Sequence, residues 1–145
     1  MHPLERAIRS SDGILSTAEL HRRGFDDDTI KLVVSYRKIV PIRRGWYASP
    51  DLPRDAFLAW RAGGRLTCLS AAAHLGLWPH ASDVVHVRVA ANASRVERSP
   101  SVVVHWSRGP ITGTRVVVSI DEMLATIGRC QPREIFHAVR RAANR

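Results

Sequence analysis

The side chains best suited to chemistry are concentrated in residues 28–47, DTIKLVVSYRKIVPIRRGWY. The first part carries hydroxyls, a phenol and cations on one side of a short helical pattern, and the last part carries two adjacent arginines before a glycine. Such side chains hydrogen-bond to phosphate oxygens and to base edges, so the stretch is a candidate for contact with DNA. Including two residues of the preceding helix, the expected contact residues are Ser16, Thr17, Thr29, Lys31, Leu32, Ser35, Tyr36, Arg37, Lys38, Arg43 and Arg44.

Two local patterns would position these side chains. Ile30 and Val34 lie four residues apart, as on the buried face of a helix, together with Val33 or Leu32, and the polar residues between them face outward. The segments IVPI, RRG and WYAS alternate and break at Gly45, which predicts a β-hairpin with the two arginines at its tip. Pro41 lacks an amide hydrogen and therefore belongs on an edge strand. A short helix fits the major groove, and a basic hairpin beside it can lie along phosphates or reach the minor groove.

The residues before this stretch predict two further helices. Residues 3–10 form the first, with a proline tolerated in its first turn. Ser16 caps the second, and Glu19 stands three residues on, as a capping box requires. Gly24 ends that helix. The acidic residues 26–28 then suit the start of the third helix, where carboxylates cap free amides.

This order of elements, with the hairpin sequence VPIRRGWYASP, resembles the N-terminal winged helix-turn-helix of the AbiEi-type antitoxin and transcriptional-regulator family. The hairpin of that family ends in an Arg-Gly-aromatic or aliphatic-Tyr-Ala signature, matched here by residues 44–48. The chain departs from the family at Arg37 and Lys38, where many relatives have a glycine that ends the third helix. The resemblance implies a winged helix-turn-helix domain over residues 1–49 that binds double-stranded DNA.

The segment SPDLP at residues 49–53 is a natural junction, so a second domain is expected over residues 50–145. The expected helices are residues 54–62, residues 66–77 with Ser70 as a cap, residues 121–127 behind Ser119, and one that begins at Pro132. Three β-rich runs, VVHVRVA, SVVVHWS and RVVVSI, begin at Val84, Ser101 and Arg115. The fold class is therefore α+β, with a small α/β domain whose sheet has three or more strands.

The second half resembles the same family. Relatives carry a Ser/Ala-rich helix ending in Gly-Leu, a valine-rich strand, a His-containing strand, and a segment of the form Val-Thr-Ser-x-x-Arg-Thr-Leu-x-Asp. The last of these is matched loosely, since IDEM at residues 120–123 replaces the usual pattern. The corresponding segments here are residues 70–77, 84–89, 102–107 and 118–127.

The first β-rich run alternates valines with His86 and Arg88, a pattern typical of a sheet with one solvated face. We therefore expect both side chains to be exposed, together with His105 on the next strand, and able to contact phosphate. The second half carries 13 arginines against seven acidic residues. The candidates for a second DNA contact are Arg88, Arg95, Arg98 and Arg108.

Cysteine and histidine spacing indicates neither a metal site nor a catalytic one. Cys68 and Cys130 are too few and too far apart for a disulfide framework or a zinc site, and we expect buried free thiols. The histidines lack HxxxH, HxH and CxxC spacing.

No phosphate loop, nucleophile elbow or paired-carboxylate motif is present. Relatives often carry a nuclease-like domain with a Glu-x-Lys motif, but the two lysines here both lie in the proposed helix-turn-helix. We predict no enzymatic activity, no metal and no cofactor.

Charge and composition narrow the class of partner. At 145 residues and 45% hydrophobic, the chain is too apolar to be disordered. Its 22 Lys plus Arg against 13 Asp plus Glu give a formal charge of +9, which favours a polyanion. The N-terminus lacks an apolar signal core and no run is long enough to cross a bilayer, so we expect a cytoplasmic location and no membrane partner.

Three functions fit these features. The first is a sequence-specific regulator, either a repressor or an antitoxin that binds its own promoter. The second is a phage-type repressor in which both domains contact DNA. The third is an antitoxin whose α/β half mainly binds a cognate toxin protein. The sequence contains no heptad or long apolar helix for dimerisation, so a monomer or a weak dimer is expected.

Overall fold

Helices and strands are mixed along the chain in an α+β arrangement. A computed structural model describes residues 1–80 and 82–145. These residues divide into two compact units, Met1–Phe57 (unit 1) and Leu58–Arg145 (unit 2). Unit 1 contains α1 (Pro3–Arg9), β1 (Ile14–Ser16), α2 (Thr17–Arg22), α3 (Asp27–Ser35), β2 (Val40–Arg43) and β3 (Trp46–Ala48).

The strands of unit 1 form one antiparallel sheet in the order β1-β3-β2. Ile14 of β1 lies opposite Ala48 of β3, and Val40 of β2 lies opposite the same residue from the other side. β2 is therefore an edge strand, and Pro41 lies on it, as expected for a residue without an amide hydrogen. The pairing shifts register between Pro41 and Arg43, just before the hairpin tip.

Caps define the helix starts in unit 1. The Ser16 hydroxyl accepts a hydrogen bond from the Glu19 amide at 3.1 Å, and the Glu19 carboxylate accepts one from the Ser16 amide, so the predicted capping box is confirmed. Asp26 caps α3 by accepting from the Thr29 amide at 2.8 Å. The core behind these helices consists of Leu4, Ile8, Leu15, Leu20, Ile30, Val33 and Ile39.

The junction segment packs back onto unit 1. The Ser49 amide donates to the Gly13 carbonyl at 2.9 Å, and Asp51 forms an ion pair with Arg9. The division between the units consequently falls within the next helix, α4 (Arg54–Ala62), further along the chain than the junction expected between residues 49 and 50.

Unit 2 continues from α4 into a second three-stranded sheet, in the order β4-β5-β6. β5 and β6 are parallel, and β4 is antiparallel to β5. α5 packs against both α6 and β5, and α6 packs against α7. The elements are β4 (Arg65–Leu66), α5 (Cys68–His74), β5 (Val85–Ala90), β6 (Val102–Ser107), α6 (Ile120–Cys130) and α7 (Arg133–Ala143).

The run RVVVSI is not a strand, contrary to the sequence prediction; it makes one isolated bridge, between Val117 and Leu66. Thr114 explains the difference, because its hydroxyl accepts hydrogen bonds from the Val116 and Val117 amides, both at 3.2 Å. The Thr114 amide in turn donates to the Val117 carbonyl at 2.9 Å. These local bonds fold the segment into a turn, and the short β4 completes the sheet in its place.

The prediction that β5 has one solvated face is also wrong. β5 is the central strand, and its residues from Val85 to Val89 are all buried, including His86 and Arg88. Ser70 does not cap α5 but accepts a hydrogen bond from the His86 amide at 2.8 Å, while Thr67 stands at the cap position. Ser119 caps α6 as predicted.

Within the described residues, no helix combines the length and the apolar character needed to cross a membrane.

Candidate nucleic-acid interface

The rotation of α3 in unit 1 is fixed by two buried residues. Ile30 is 2% exposed and Val33 is 4% exposed, both in the core of the unit. At 100° per residue, the side chains at positions 31, 32, 35 and 36 fall in one continuous arc on the other side of the helix. The structure therefore brings together Lys31, Leu32, Ser35 and Tyr36, all exposed, on an outer face of α3 that also carries the exposed Asp28 in the first turn.

Two of these side chains are large and apolar in part. Leu32 is 53% exposed and Tyr36 is 69% exposed. The Ser35 hydroxyl donates to the Leu32 carbonyl at 2.6 Å. The Ser35 oxygen can therefore only accept a hydrogen bond from a partner. Thr29, also expected at this surface, is half-buried, and its hydroxyl donates to the Asp26 carboxylate at 2.8 Å as part of the helix cap.

Beyond α3, the chain reverses at Arg37, which has a positive φ of 58°. Arg37 thus takes the left-handed conformation that usually belongs to a glycine at the end of a helix. Its amide donates to the Val34 carbonyl at 2.9 Å, and the Lys38 amide donates to the Val33 carbonyl at 3.2 Å. Both cationic side chains are exposed at the end of the helix.

The hairpin tip is held against the start of α2. Gly45 turns the chain with a φ of 78°, and its carbonyl accepts from the Thr17 amide at 2.9 Å and from the Thr17 hydroxyl at 3.4 Å. Ser16 and Thr17 are half-buried by these contacts and by the capping box. Arg44 is exposed at the tip, whereas Arg43 is half-buried on β2.

The N-terminal end of α3 is acidic. Hydrogen bonds from the Thr29 amide and hydroxyl lower the pKa of the Asp26 carboxyl below its ordinary value of 3.8, so the group is ionised at neutral pH. Asp27 and Asp28 follow, both exposed. Cations and exposed apolar groups therefore lie toward the C-terminal half of the helix.

Unit 2 places the four arginines expected as second contacts in different environments. Arg95, Arg98 and Arg108 are exposed, and the Arg98 guanidinium lies 5.9 Å from the Trp106 ring centre. Arg88 is 5% exposed, so the expectation of an exposed side chain, on which its contact with DNA depended, is wrong. Its guanidinium donates to the Gly109 carbonyl at 2.6 Å, and its Nε lies 3.7 Å from the Glu122 carboxylate.

A second set of reactive side chains in unit 2 was missed from the sequence. Cys68 Sγ and one ring nitrogen each of His86 and His105 all lie within 4.8 Å of one another (the Cys-His cluster). His86 Nδ1 and His105 Nε2 are 2.9 Å apart and share a hydrogen bond. His86 and Cys68 are buried and His105 is half-buried, so the expectation of an exposed side chain is wrong for His86.

The surroundings of the Cys-His cluster favour neutral groups. Burial, with a smaller contribution from the neighbouring His105, lowers the pKa of His86 to about 4. Burial also lowers the pKa of His105, with a smaller effect of the Arg129 charge, and raises the pKa of Cys68.

Two side chains from the end of α6 and the residue after it approach the cluster. The Gln131 amide nitrogen donates to Cys68 Sγ at 3.5 Å, and Cys130 Sγ lies 3.8 Å from His105 Nδ1. Cys130 is exposed, so the prediction of two buried thiols holds only for Cys68.

No protein-family model matches the sequence, and a comparison with curated proteins finds no match.

Proposed function

We propose that unit 1 is a winged helix-turn-helix and that the protein is a sequence-specific regulator of transcription, either a repressor or an antitoxin that binds its own promoter. The observation that carries this proposal is the outer face of α3, which exposes Leu32 and Tyr36 between cations and lies on the same unit as a basic hairpin tip. The partner is double-stranded DNA, the location is the cytoplasm, and the protein acts as a monomer or a weak dimer.

The topology of unit 1 supports this proposal. Three helices precede a hairpin, and the short β1 between the first two helices pairs with the returning strand β3. The hairpin of β2 and β3, with Arg44 and Gly45 between its strands, would serve as the wing. The Thr17 to Gly45 hydrogen bonds hold the tip of this hairpin against the start of α2, the helix that precedes α3.

The outer face of α3 has the chemistry of base contact. A leucine side chain packs on a thymine methyl group, and a lysine donates to the guanine O6 and N7 acceptors in the major groove. Tyr36 adds a phenol that can donate or accept. Leu32 and Tyr36 lie four residues apart and are neighbours on this face, so together they offer an exposed, partly apolar surface that a partner could cover.

Arg37, Lys38 and Arg44 are the cations that we assign to phosphate. They lie at the end of α3 and at the wing tip, away from the acidic start of the helix. Contacts of this kind fix the position of the helix in the groove without reading the sequence. The ionised Asp26 cap and its two acidic neighbours repel phosphate. We therefore expect the C-terminal half of α3 to lie deepest in the major groove.

The test is an electrophoretic shift with the DNA upstream of the protein's own gene and with random DNA of equal length, at several salt concentrations. Wild type should prefer its own upstream DNA. Arg44→Gln should flatten the plot of log K against log salt by about 0.9, the value of one phosphate contact. The matched control is Arg6→Gln, which removes the same charge from an exposed position on α1 and should leave the slope unchanged. Equal slopes in both variants would refute the wing assignment.

A second candidate function is binding of a protein partner by unit 2. β6 is an edge strand of its sheet, and it exposes Val103 and Trp106, the latter 47% exposed. An unpaired edge with exposed apolar side chains can accept another chain. This candidate predicts that Trp106→Ser abolishes capture of the product of a neighbouring gene while DNA binding stays at the wild-type level.

A further inference from the structure

We propose that Cys68 Sγ, His86 Nδ1 and His105 Nε2 bind one Zn²⁺ ion, with a solvent molecule in the fourth position. The inference concerns unit 2 alone and does not depend on DNA binding by unit 1. One thiol and two imidazoles are ligands that zinc prefers, and three protein ligands with one open position are a recurrent zinc arrangement.

The distances are close to those that zinc requires. With Zn–N near 2.0 to 2.1 Å and Zn–S near 2.3 Å, ligand atoms in a tetrahedral site lie roughly 3.3 to 3.6 Å apart. The two imidazole nitrogens are 2.9 Å apart, and all three ligand atoms lie within 4.8 Å of one another. Binding therefore needs the two imidazole nitrogens to separate by about half an ångström, a shift that side-chain rotation can supply.

The sheet holds the two histidines in place. In the parallel register of β5 and β6, Arg88 pairs with His105, and His86 stands two residues before Arg88. Because alternate residues point to the same side of a sheet, His86 and His105 share one face. Cys68 reaches that face from the first residue of α5.

Neighbouring groups support the ligand assignment. When Nε2 of His105 binds the metal, its Nδ1 carries the proton, and Cys130 Sγ lies 3.8 Å from that nitrogen as the acceptor. Metal-bound histidines commonly donate their second nitrogen in this way, which fixes the ring orientation. The Gln131 amide donates to Cys68 Sγ and would stabilise the thiolate form that binds zinc.

Cys68 provides an independent observation. Its φ is +52°, a conformation that is costly for a residue with a side chain, and it is fully buried. Strained backbone of this kind clusters at functional sites, where the surrounding structure enforces it. Here it places the only buried thiol of the described residues beside two imidazoles.

The test uses the full chain, freed of any affinity tag, with thiols reduced. Titration with Zn²⁺ should saturate at one equivalent and raise the thermal midpoint, because metal that binds only the folded state stabilises it. Titration with Co²⁺ should give the visible bands of a tetrahedral site together with a sulfur-to-cobalt charge-transfer band. Wild type that binds no metal, or gives cobalt bands without the charge-transfer band, would overturn the proposal.

Variants locate the site. His105→Gln and Cys68→Ser should each weaken binding by more than about tenfold, and circular dichroism should show that they fold. If Cys68→Ser does not fold, the half-buried His105→Gln decides the outcome. The matched control is His74→Gln, an exposed histidine on α5, which should bind as wild type does. Cys130→Ser should keep the charge-transfer band. Loss of the charge-transfer band in Cys130→Ser, together with its retention in Cys68→Ser, would contradict the assignment of Cys68 as the sulfur ligand. Unchanged metal binding in His105→Gln would contradict the proposed site as well.

Discussion

Arg88 offers the sharpest test of how unit 2 is built. Replacement by Met keeps most of the side-chain volume but removes the hydrogen bond to the Gly109 carbonyl at 2.6 Å and the charge beside Glu122. Loss of one partner of a buried pair costs about 3 to 5 kcal/mol, since the other charge is left behind. Glu122 is 18% exposed on its side chain and accepts from the Thr112 hydroxyl at 3.0 Å. We therefore expect Arg88→Met to lower the free energy of unfolding by about 3 kcal/mol, the low end of this range.

Urea unfolding followed by circular dichroism and tryptophan fluorescence measures this loss. Arg98→Met, which removes an exposed arginine from the same unit, should change the free energy of unfolding by no more than about 0.5 kcal/mol. The double variant Arg88→Met/Glu122→Gln should recover part of the loss, because no carboxylate then lacks its cation. A cost below about 1 kcal/mol for Arg88→Met, combined with weaker DNA binding, would refute the structural role and restore the DNA-contact role.

Two further predictions concern stability. Gly64→Ala should lower the free energy of unfolding of unit 2 by about 1 to 3 kcal/mol or more, because the new Cβ would lie 1.9 Å from the Arg88 carbonyl oxygen. Urea unfolding measures this loss. The control is Gly109→Ala, where the atom nearest to the new Cβ is 3.7 Å away. Asp26 has a lowered pKa, so its contribution to stability is present above its unfolded pKa of 3.8 and is lost as the pH falls through the lower folded value. Asp26→Asn should therefore lose less stability than wild type between neutral pH and about pH 2, measured by thermal unfolding; identical curves would contradict the cap.

Local chemistry made unit 1 largely predictable from the sequence. The Ser16 capping box, the Asp26 cap and the edge position of Pro41 depend on residues a few positions apart, so the pattern and the cause lie in the same segment. The spacing of Ile30 and its neighbours likewise predicted which face of α3 is buried.

Long-range pairing made unit 2 harder to predict. The alternation in β5 suggested one solvated face, but its central place in the sheet and the packing of α5 against it bury both faces. The Cys-His cluster joins residues that are 19 positions apart on β5 and β6, with Cys68 on a third element. Motif spacing therefore gave no signal, and only the parallel register of the two strands would have revealed it.

The most direct test of the proposed function is the ratio of affinities for a selected DNA site and for random DNA of equal length, at fixed salt. Wild type should favour the selected site by about 10³-fold or more. Tyr36→Ala should reduce that ratio by about five- to 150-fold, equivalent to one base contact of about 1 to 3 kcal/mol. Arg6→Gln should leave it unchanged. A wild-type ratio near one, or a ratio that Tyr36→Ala and Lys31→Ala both leave intact, would contradict sequence-specific reading by α3.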